Sequence, residues 1–349
     1  IQSRSSIHYH FLTFGAIYVA LQYISQTDYN PITEECQDFP DWRGVDAPVP
    51  PVHCDARANG HRGEAMKTRL LGKNFAVEID GVDLAALGDT AFDELRRVWL
   101  RNKVAVLRGQ VLSDDALVDF TRRMGPLFSH VRDQYHAPDR PEIMYVSNLK
   151  EDGRNLGSLG DGELRWHTDQ SYTPRPVFGT LLYGVEIPDD GGATWFCDLA
   201  AAYGAMPAEL RAEVEGETAC YSGMKPESAR RMKMRPDQIA RIPDQRHPLV
   251  RTHPYCDRNS LYISPNHIVQ IGDRDHDQTE AMLERLVAWA DRPDFTYRHQ
   301  WRVNDVVLWD NASVMHRREA FPGEQRRFLK RTGFHFPEEL GTPYCAAAR

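Results

Sequence analysis

The sequence has no C-x-x-C pair: its six cysteines, at positions 36, 54, 197, 220, 256 and 345, are scattered along 349 residues. That spacing indicates neither a zinc knuckle nor a dense disulfide framework, and a reducing cytoplasm is the expected compartment. Positive charge is also short, with 42 Lys and Arg against 50 Asp and Glu for a formal charge of −8. This balance disfavours a nonspecific grip on nucleic acid or on an anionic membrane surface, so any anionic ligand has to be met by local residues. Long apolar runs are scarce. The one candidate, residues 11–24, is interrupted by Thr13, Gly15 and Gln22 and falls short of the roughly 20 residues that span a bilayer. A signal peptide would use Arg4 and this run, but no small-x-small cleavage site follows, so secretion is not expected. H-E-x-x-H, G-x-S-x-G and G-x-x-x-x-G-K-[ST] are missing too, which removes the defining residues of zincins, serine hydrolases and P-loop enzymes. Internal repeats and low-complexity tracts are absent.

What is present is an ordinary globular composition, 41% hydrophobic and 26% charged. Residues 39–54 carry four prolines, which favour extended chain. The expected organisation is therefore an appended extension over residues 1–65, one domain over 66–344 and a tail over 345–349. Phe75, Val77 and Ile79 alternate as in a half-buried strand. Residues 90–102 place Phe92, Leu95, Val98 and Trp99 at helical spacing behind Thr90 as a cap. Val104 to Leu107 reads as a strand. Residues 113–124 read as a helix with a Ser cap, early acids and late arginines. Short strands are expected at 180–186, 261–263, 295–299 and 305–309, and helices at 199–204, 207–215 and 277–290. Many short strands with peripheral helices point to a β-sandwich or jelly roll with inserted helices, a β-rich α+β chain and not a doubly wound sheet.

The chemistry-bearing residues begin with Arg165-Trp166-His167-Thr168-Asp169-Gln170. On a strand, residues two apart share a side, so His167 and Asp169 can offer an imidazole and a carboxylate to one ion. Alone, the pair reads equally as a surface ion pair. A distant apolar strand from Asp305 leads through a polar turn to His316, and two His with one carboxylate form the facial set that leaves positions open on Fe(II). Further on, Arg327 and Arg331 lie in a segment that reads either as a solvated basic face or, with Phe328, Leu329, Gly333 and Phe334, as a buried strand. A buried Arg needs an anionic partner. The glycine-rich stretch 152–162 lacks the phosphate-binding G-x-G-x-x-G order and reads as a lid or a surface loop. Asn311-Ala312-Ser313 matches a glycosylation acceptor by chance, and His253, His267 and His335 read as structural.

These blocks, in order, resemble the taurine / 2,4-dichlorophenoxyacetate dioxygenase family of Fe(II)- and 2-oxoglutarate-dependent oxygenases. The blocks are NKVAVLRGQ at 102–110, WHTDQSY at 166–172, GGATWFCDLAAAYGAMP at 191–207, HPLVRTHP at 247–254, WRVNDVVLWDNASVMHR at 301–317 and QRRFLKR at 325–331. The resemblance runs from about Lys67 to about Gly341. It implies a double-stranded β-helix (jelly roll) with surrounding helices, with His167, Asp169 and His316 as iron ligands and catalytic residues. It implies that Thr194 and Arg327 hold the distal carboxylate of the co-substrate 2-oxoglutarate, a planar group that Arg recognises bidentately. It further implies that Arg331 and His130 contact an anionic substrate, although both residues also admit a structural role. Asp133 stands where taurine-oxidising members carry a substrate-contacting Tyr, which argues against taurine itself. O2 completes the cofactor set, with succinate and CO2 as co-products, and Asp169 leaves no vacancy for a halide, which favours hydroxylation over halogenation.

The expected partners are a small anionic molecule (a sulfonate, sulfate ester, aryloxyalkanoate or similar), no nucleic acid and no membrane, and a homo-oligomeric state, dimer or tetramer. Three rival readings stay open: the same chemistry on a natural product or amino-acid derivative, a zinc-dependent hydrolase using the same triad, and a noncatalytic binding protein. Tyr172, Phe178, Tyr183 and Phe334 are candidates for the pocket wall.

Overall fold

The Val306–Asp310 strand, rich in β-branched and aromatic residues, is buried along its whole length. It lies inside a nine-stranded sheet of the computed structural model, which describes residues 66–226 and 234–340. The expected extension over 1–65, its apolar run and the tail over 345–349 fall outside the described residues. On one side the sheet continues through Val104–Leu107, Val77–Asp80 and Lys67–Leu70. On the other it continues through Gly179–Glu186, Phe328–Phe334, Arg140–Ser147 and His136–Ala137. Pairing is antiparallel except between Val77–Asp80 and Val104–Leu107 and between Arg140–Ser147 and Ser158–Leu159. A second, four-stranded antiparallel sheet runs in the order Thr296–His299, Thr194–Asp198, Val314–Arg318, Leu164–His167.

Strand alternation sorts the core. Val104, Val106, Leu182, Val307, Trp309 and Leu329 of the large sheet share one apolar cluster with Phe196 and Val314 of the small sheet, so the two sheets face each other. The intervening residues Ala105, Leu107, Leu181, Tyr183, Val306 and Leu308 join a second cluster with the helices. There Phe92, Leu95 and Trp99 of the Asp89–Asn102 helix and Leu117, Val118 and Phe120 of Asp114–Met124 are buried. Trp99 meets Phe178 and Phe334 at ring distances of 5.3 and 5.8 Å, and each such ring contributes roughly 1.5–3 kcal/mol through burial.

Local chemistry explains most element ends. Ser113 caps its helix by accepting from Ala116 N–H at 3.1 Å. Thr90 does not cap the first helix; Gly88 occupies that position without a side-chain bond, and Thr90 lies inside the first turn. The later elements are His276–Ala290, Leu199–Gly204 and Ala208–Ala212, the last shorter than expected because it turns out of the helix before Gly216. The strand expected over 261–263 ends at Leu261 and begins at Asn259, where it pairs with Val250–Thr252. Among the described residues no helix is long and apolar enough to cross a membrane, and Cys197, Cys220 and Cys256 are free thiols.

Candidate active site

The same alternation aims the polar residues. Thr180, two before Leu182, and Arg331, two after Leu329, lie on the face of the large sheet that meets the small one. His316 and Arg318 follow Val314 on the inner face of the small sheet, and Thr194 precedes Phe196 there. His316 stands opposite His167 in the ladder. The strand carrying His167 ends at that residue, and Gln170 has φ +52°. Asp169 therefore comes from a tight turn, not from the continued strand that the two-residue spacing suggests.

The turn nevertheless brings the three side chains together. One donor atom from each of His167, Asp169 and His316 lies within 4.8 Å of the others. The two imidazole centroids are 4.2 Å apart, and His316 Nε2 is 3.9 Å from Asp169 Oδ1. His167 Nδ1 sits 2.8 Å from Arg165 O; as the donor there it leaves Nε2 unprotonated, the form that binds a cation. Burial lowers the pKa of both histidines, His316 to about 3, where neighbouring His167 adds to the effect. Burial is the strongest single influence on the Asp169 carboxyl and works to raise it, but Arg331, His316, His167 and the Thr180 hydroxyl together outweigh it and hold it down at about 2. The imidazoles pull in the same direction only when protonated, so at neutral pH Arg331, 3.1 Å away, is the charge that matters. Two neutral imidazoles and one carboxylate are a donor set ready for a divalent metal.

Arg327, just before the Phe328–Phe334 strand, is 2% exposed, and its guanidinium has no carboxylate partner among the described residues. Its Nε is buried without a hydrogen bond. Burial, and then Arg318, push its pKa well below the usual value. Both guanidinia lie near the Phe321 ring, Arg318 at 5.3 Å and Arg327 at 5.7 Å. Gly192 packs against the Arg327 side chain, where a Cβ would come 3.4 Å from Nε. Two residues on, Thr194 Oγ1 accepts from Trp301 Nε1 at 2.9 Å, which leaves the hydroxyl hydrogen available to donate. A buried cation with no acid fits a planar carboxylate, and Thr194 has a hydroxyl hydrogen to donate.

His130 and Arg331 line one cavity with Phe128, Glu142 and Met144. His130 Nδ1 accepts from Arg132 N–H at 3.0 Å, so its proton sits on Nε2, and the Gln170 side-chain amide 2.7 Å away accepts it when its oxygen is turned to the ring. Burial, then Arg132 and Arg331, keep it neutral. Asp133, by contrast, is an exposed residue bound to Arg235 and Gln238, away from the triad. Phe178 and Phe334 belong to the helix-side core, where Phe178 stacks on Phe336 at 3.8 Å. Tyr183 packs in the same cluster and donates to Asn304 Oδ1, and Tyr172 packs against His267 at 4.6 Å.

The glycine-rich stretch is anchored. Gly157 lies against Ser147 and Tyr145 with no room for a Cβ, Arg132 donates to Ser158 Oγ at 2.6 Å, and Arg318 donates to Leu159 O at 3.0 Å and to Gly162 O. No sequence pattern marks Arg132, Arg318, Trp301 or Thr180, and Asn311 stands out only as a chance match to a glycosylation acceptor. Arg318 could still have been found, because it lies two residues beyond His316 on a strand.

The class is that of the α-ketoglutarate-dependent dioxygenases, oxidoreductases that use Fe(II), 2-oxoglutarate and O2, and the chain belongs to their TauD/TfdA family, whose model (taurine catabolism dioxygenase TauD, TfdA family) matches residues 67–332. Among particular relatives, the chain is 33% identical over 273 residues to the alpha-ketoglutarate-dependent 2,4-dichlorophenoxyacetate dioxygenase of Cupriavidus pinatubonensis, covering 74% of this chain and 93% of that one. It is 32% identical to pentalenolactone F synthase of Streptomyces arenae, covering 75% and 92%. A crystal structure of a taurine dioxygenase from Burkholderia xenovorans superposes with a TM-score of 0.65 at 29% identity, covering 77% and 89%. That of AAD-2 in complex with Mn(II) and N-oxalylglycine superposes with the same TM-score at 28% identity, covering 77% and 97%.

Proposed function

We propose that this dioxygenase, on a double-stranded β-helix scaffold, hydroxylates a small anionic organic substrate and releases succinate and CO2. In this reading His167, Asp169 and His316 hold the iron, and Arg327 with Thr194 holds the distal carboxylate of 2-oxoglutarate. Together these groups supply the activation of O2 coupled to oxidative decarboxylation. The protein's own task is orientation. Arg331 lies 3.1 Å from Asp169 Oδ1, so an anion paired with its guanidinium lies next to the metal position. Neutral His130 on the cavity wall adds shape and fixes Gln170.

The observation that carries the reading is the buried guanidinium of Arg327 without an acid, in a chain that also brings together a two-His, one-carboxylate set. A zinc hydrolase has no use for that cation. Aryloxyalkanoates head the substrate list because relatives at 33% and 31% identity carry the names 2,4-dichlorophenoxyacetate dioxygenase and (S)-phenoxypropionate/alpha-ketoglutarate-dioxygenase. The pentalenolactone F synthase relatives favour, as a second reading, the same chemistry on a natural product. A panel of aryloxyalkanoates, sulfonates, sulfate esters and N-modified amino acids, scored by succinate release, tests the assignment. At least one anion should stimulate turnover, and Arg331→Gln should raise its KM tenfold or more. If no anion raises turnover above the substrate-free rate, the anion-site role of Arg331 is wrong.

A further inference from the structure

The Asn311-Ala312-Ser313 triplet has the form of a glycosylation acceptor, yet Asn311 is 1% exposed and its side chain is wholly engaged inside the protein. Its Oδ1 accepts from Trp309 Nε1 at 3.0 Å and from the Asp169 main-chain N–H at 3.3 Å. Its Nδ2 donates to Thr180 Oγ1 at 2.9 Å, and the Thr180 hydroxyl in turn donates to Asp169 Oδ2 at 2.9 Å. The backbone is pinned as well: Asn311 N–H donates to Phe178 O at 2.8 Å, and Asn311 O accepts from Arg251 at 3.1 Å.

This arrangement fixes a direction. A hydroxyl has one hydrogen. Because Thr180 Oγ1 accepts from the Asn311 amide, its hydrogen goes to Asp169 Oδ2. That oxygen is thereby held back, while Oδ1 faces His316 Nε2 at 3.9 Å and Arg331 at 3.1 Å. Asn311 thus touches Asp169 twice, at its N–H directly and at its carboxylate through Thr180, and separates the two carboxylate oxygens into one that is anchored and one that is presented. It comes from the turn that links the Val306–Asp310 strand to the strand bearing His316, so one turn sets both the imidazole and the orientation of the carboxylate.

We propose that Asn311 is a positioning residue for the metal centre, acting through Thr180 to present Asp169 Oδ1 to the ion. The proposal rests on reading His167, Asp169 and His316 as the ligands. It is tested on the full-length apoprotein with Co(II) as the probe, by titration calorimetry and by the visible ligand-field spectrum of bound Co(II). Thr180→Val should weaken Co(II) binding by about 10- to 100-fold and alter the spectrum, while Thr180→Ser, which keeps the hydroxyl, should bind like wild type. Asn311→Ala should weaken binding similarly, and the double variant should be no weaker than Asn311→Ala, because one relay carries both contributions. A folded Thr180→Val protein with wild-type Co(II) affinity overturns the proposal, as does Thr180→Ser behaving like Thr180→Val. If Asn311→Ala does not fold, the Thr180 pair decides. Asp169→Ala separates the two readings: retained Co(II) affinity in that variant overturns the ligand set itself.

Discussion

Replacing Arg327 by Met should do opposite things to co-substrate binding and to the empty protein. The guanidinium is 2% exposed, its Nε has no hydrogen bond, and Arg318 is a like charge close by. In the absence of an anion this is an uncompensated buried cation, and an apolar side chain of similar length removes the desolvation cost while keeping most of the packing. Bound to a carboxylate it makes charge-assisted hydrogen bonds that contribute about 1.5–3 kcal/mol each, so losing a bidentate pair costs on the order of 3 kcal/mol, or about 100-fold in affinity. Linkage converts this into a melting shift. A ligand at 100 times its Kd stabilises by about 2.7 kcal/mol, and one whose Kd has risen 100-fold contributes only about 0.4 kcal/mol at the same concentration. The assay is thermal denaturation of wild type and Arg327→Met, loaded with Mn(II), with and without 2-oxoglutarate. The variant should melt no lower than wild type without 2-oxoglutarate and should lose most of the ligand-induced shift. A full shift in the variant refutes the anion role, and a marked drop in Tm without ligand refutes the claim that the charge is uncompensated.

Stability should also carry a histidine signature on the alkaline side. Burial alone would depress His253, but the Asp310 carboxylate 3.2 Å away reverses this and raises it from 6.5 to about 9. A raised histidine contributes stability that is complete below pH 6.5 and is lost as pH climbs to 9, on the order of 3 kcal/mol in total. Urea midpoints from pH 6 to 10 should fall for wild type and stay flatter for His253→Gln; equal slopes would count against the pair. His247, lowered to about 4 chiefly by burial, gives the opposite slope, with stability lost as pH falls from 6.5 toward 4. Gly179→Ala would drive a Cβ into the Phe334 ring beneath Trp99, so urea denaturation should show a loss of about 1–3 kcal/mol, and an unchanged midpoint would contradict the packing described.

The strands at 104–107 and 306–310 were legible because β-branched runs bounded by turns have few alternatives, and Ser113 announced its helix by its cap. Which face of each strand would turn inward was not legible, since these strands are apolar on both sides: Val307 and Trp309 face the small sheet while Val306 and Leu308 face the helices. The two-residue spacing of His167 and Asp169 marks them as a pair, but strand geometry is not what joins them. His167 is a strand residue and Asp169 belongs to the turn beyond it, a consequence of the positive φ at Gln170 that no residue preference foretold. Arg327 stood out through its place in a family motif, whereas Thr180, Asn311, Trp301 and Arg132 act through contacts between segments far apart in sequence, which periodicity does not encode. Asn311 is the clearest case, because its local triplet matches a glycosylation acceptor only by chance and says nothing of its partners at 169 and 180 inside the protein.

If His167, Asp169 and His316 hold the iron, they support oxygen-dependent turnover of 2-oxoglutarate. Simultaneous measurement of O2 uptake and succinate release tests that role most directly, using protein loaded with Fe(II) or Zn(II) and the Asp169→Ala variant. O2 consumption and succinate formation should match with Fe(II) only, and neither should occur in the variant. Succinate release by Asp169→Ala at the wild-type rate, or substrate hydrolysis by the Zn(II) form without O2 uptake, would contradict that role.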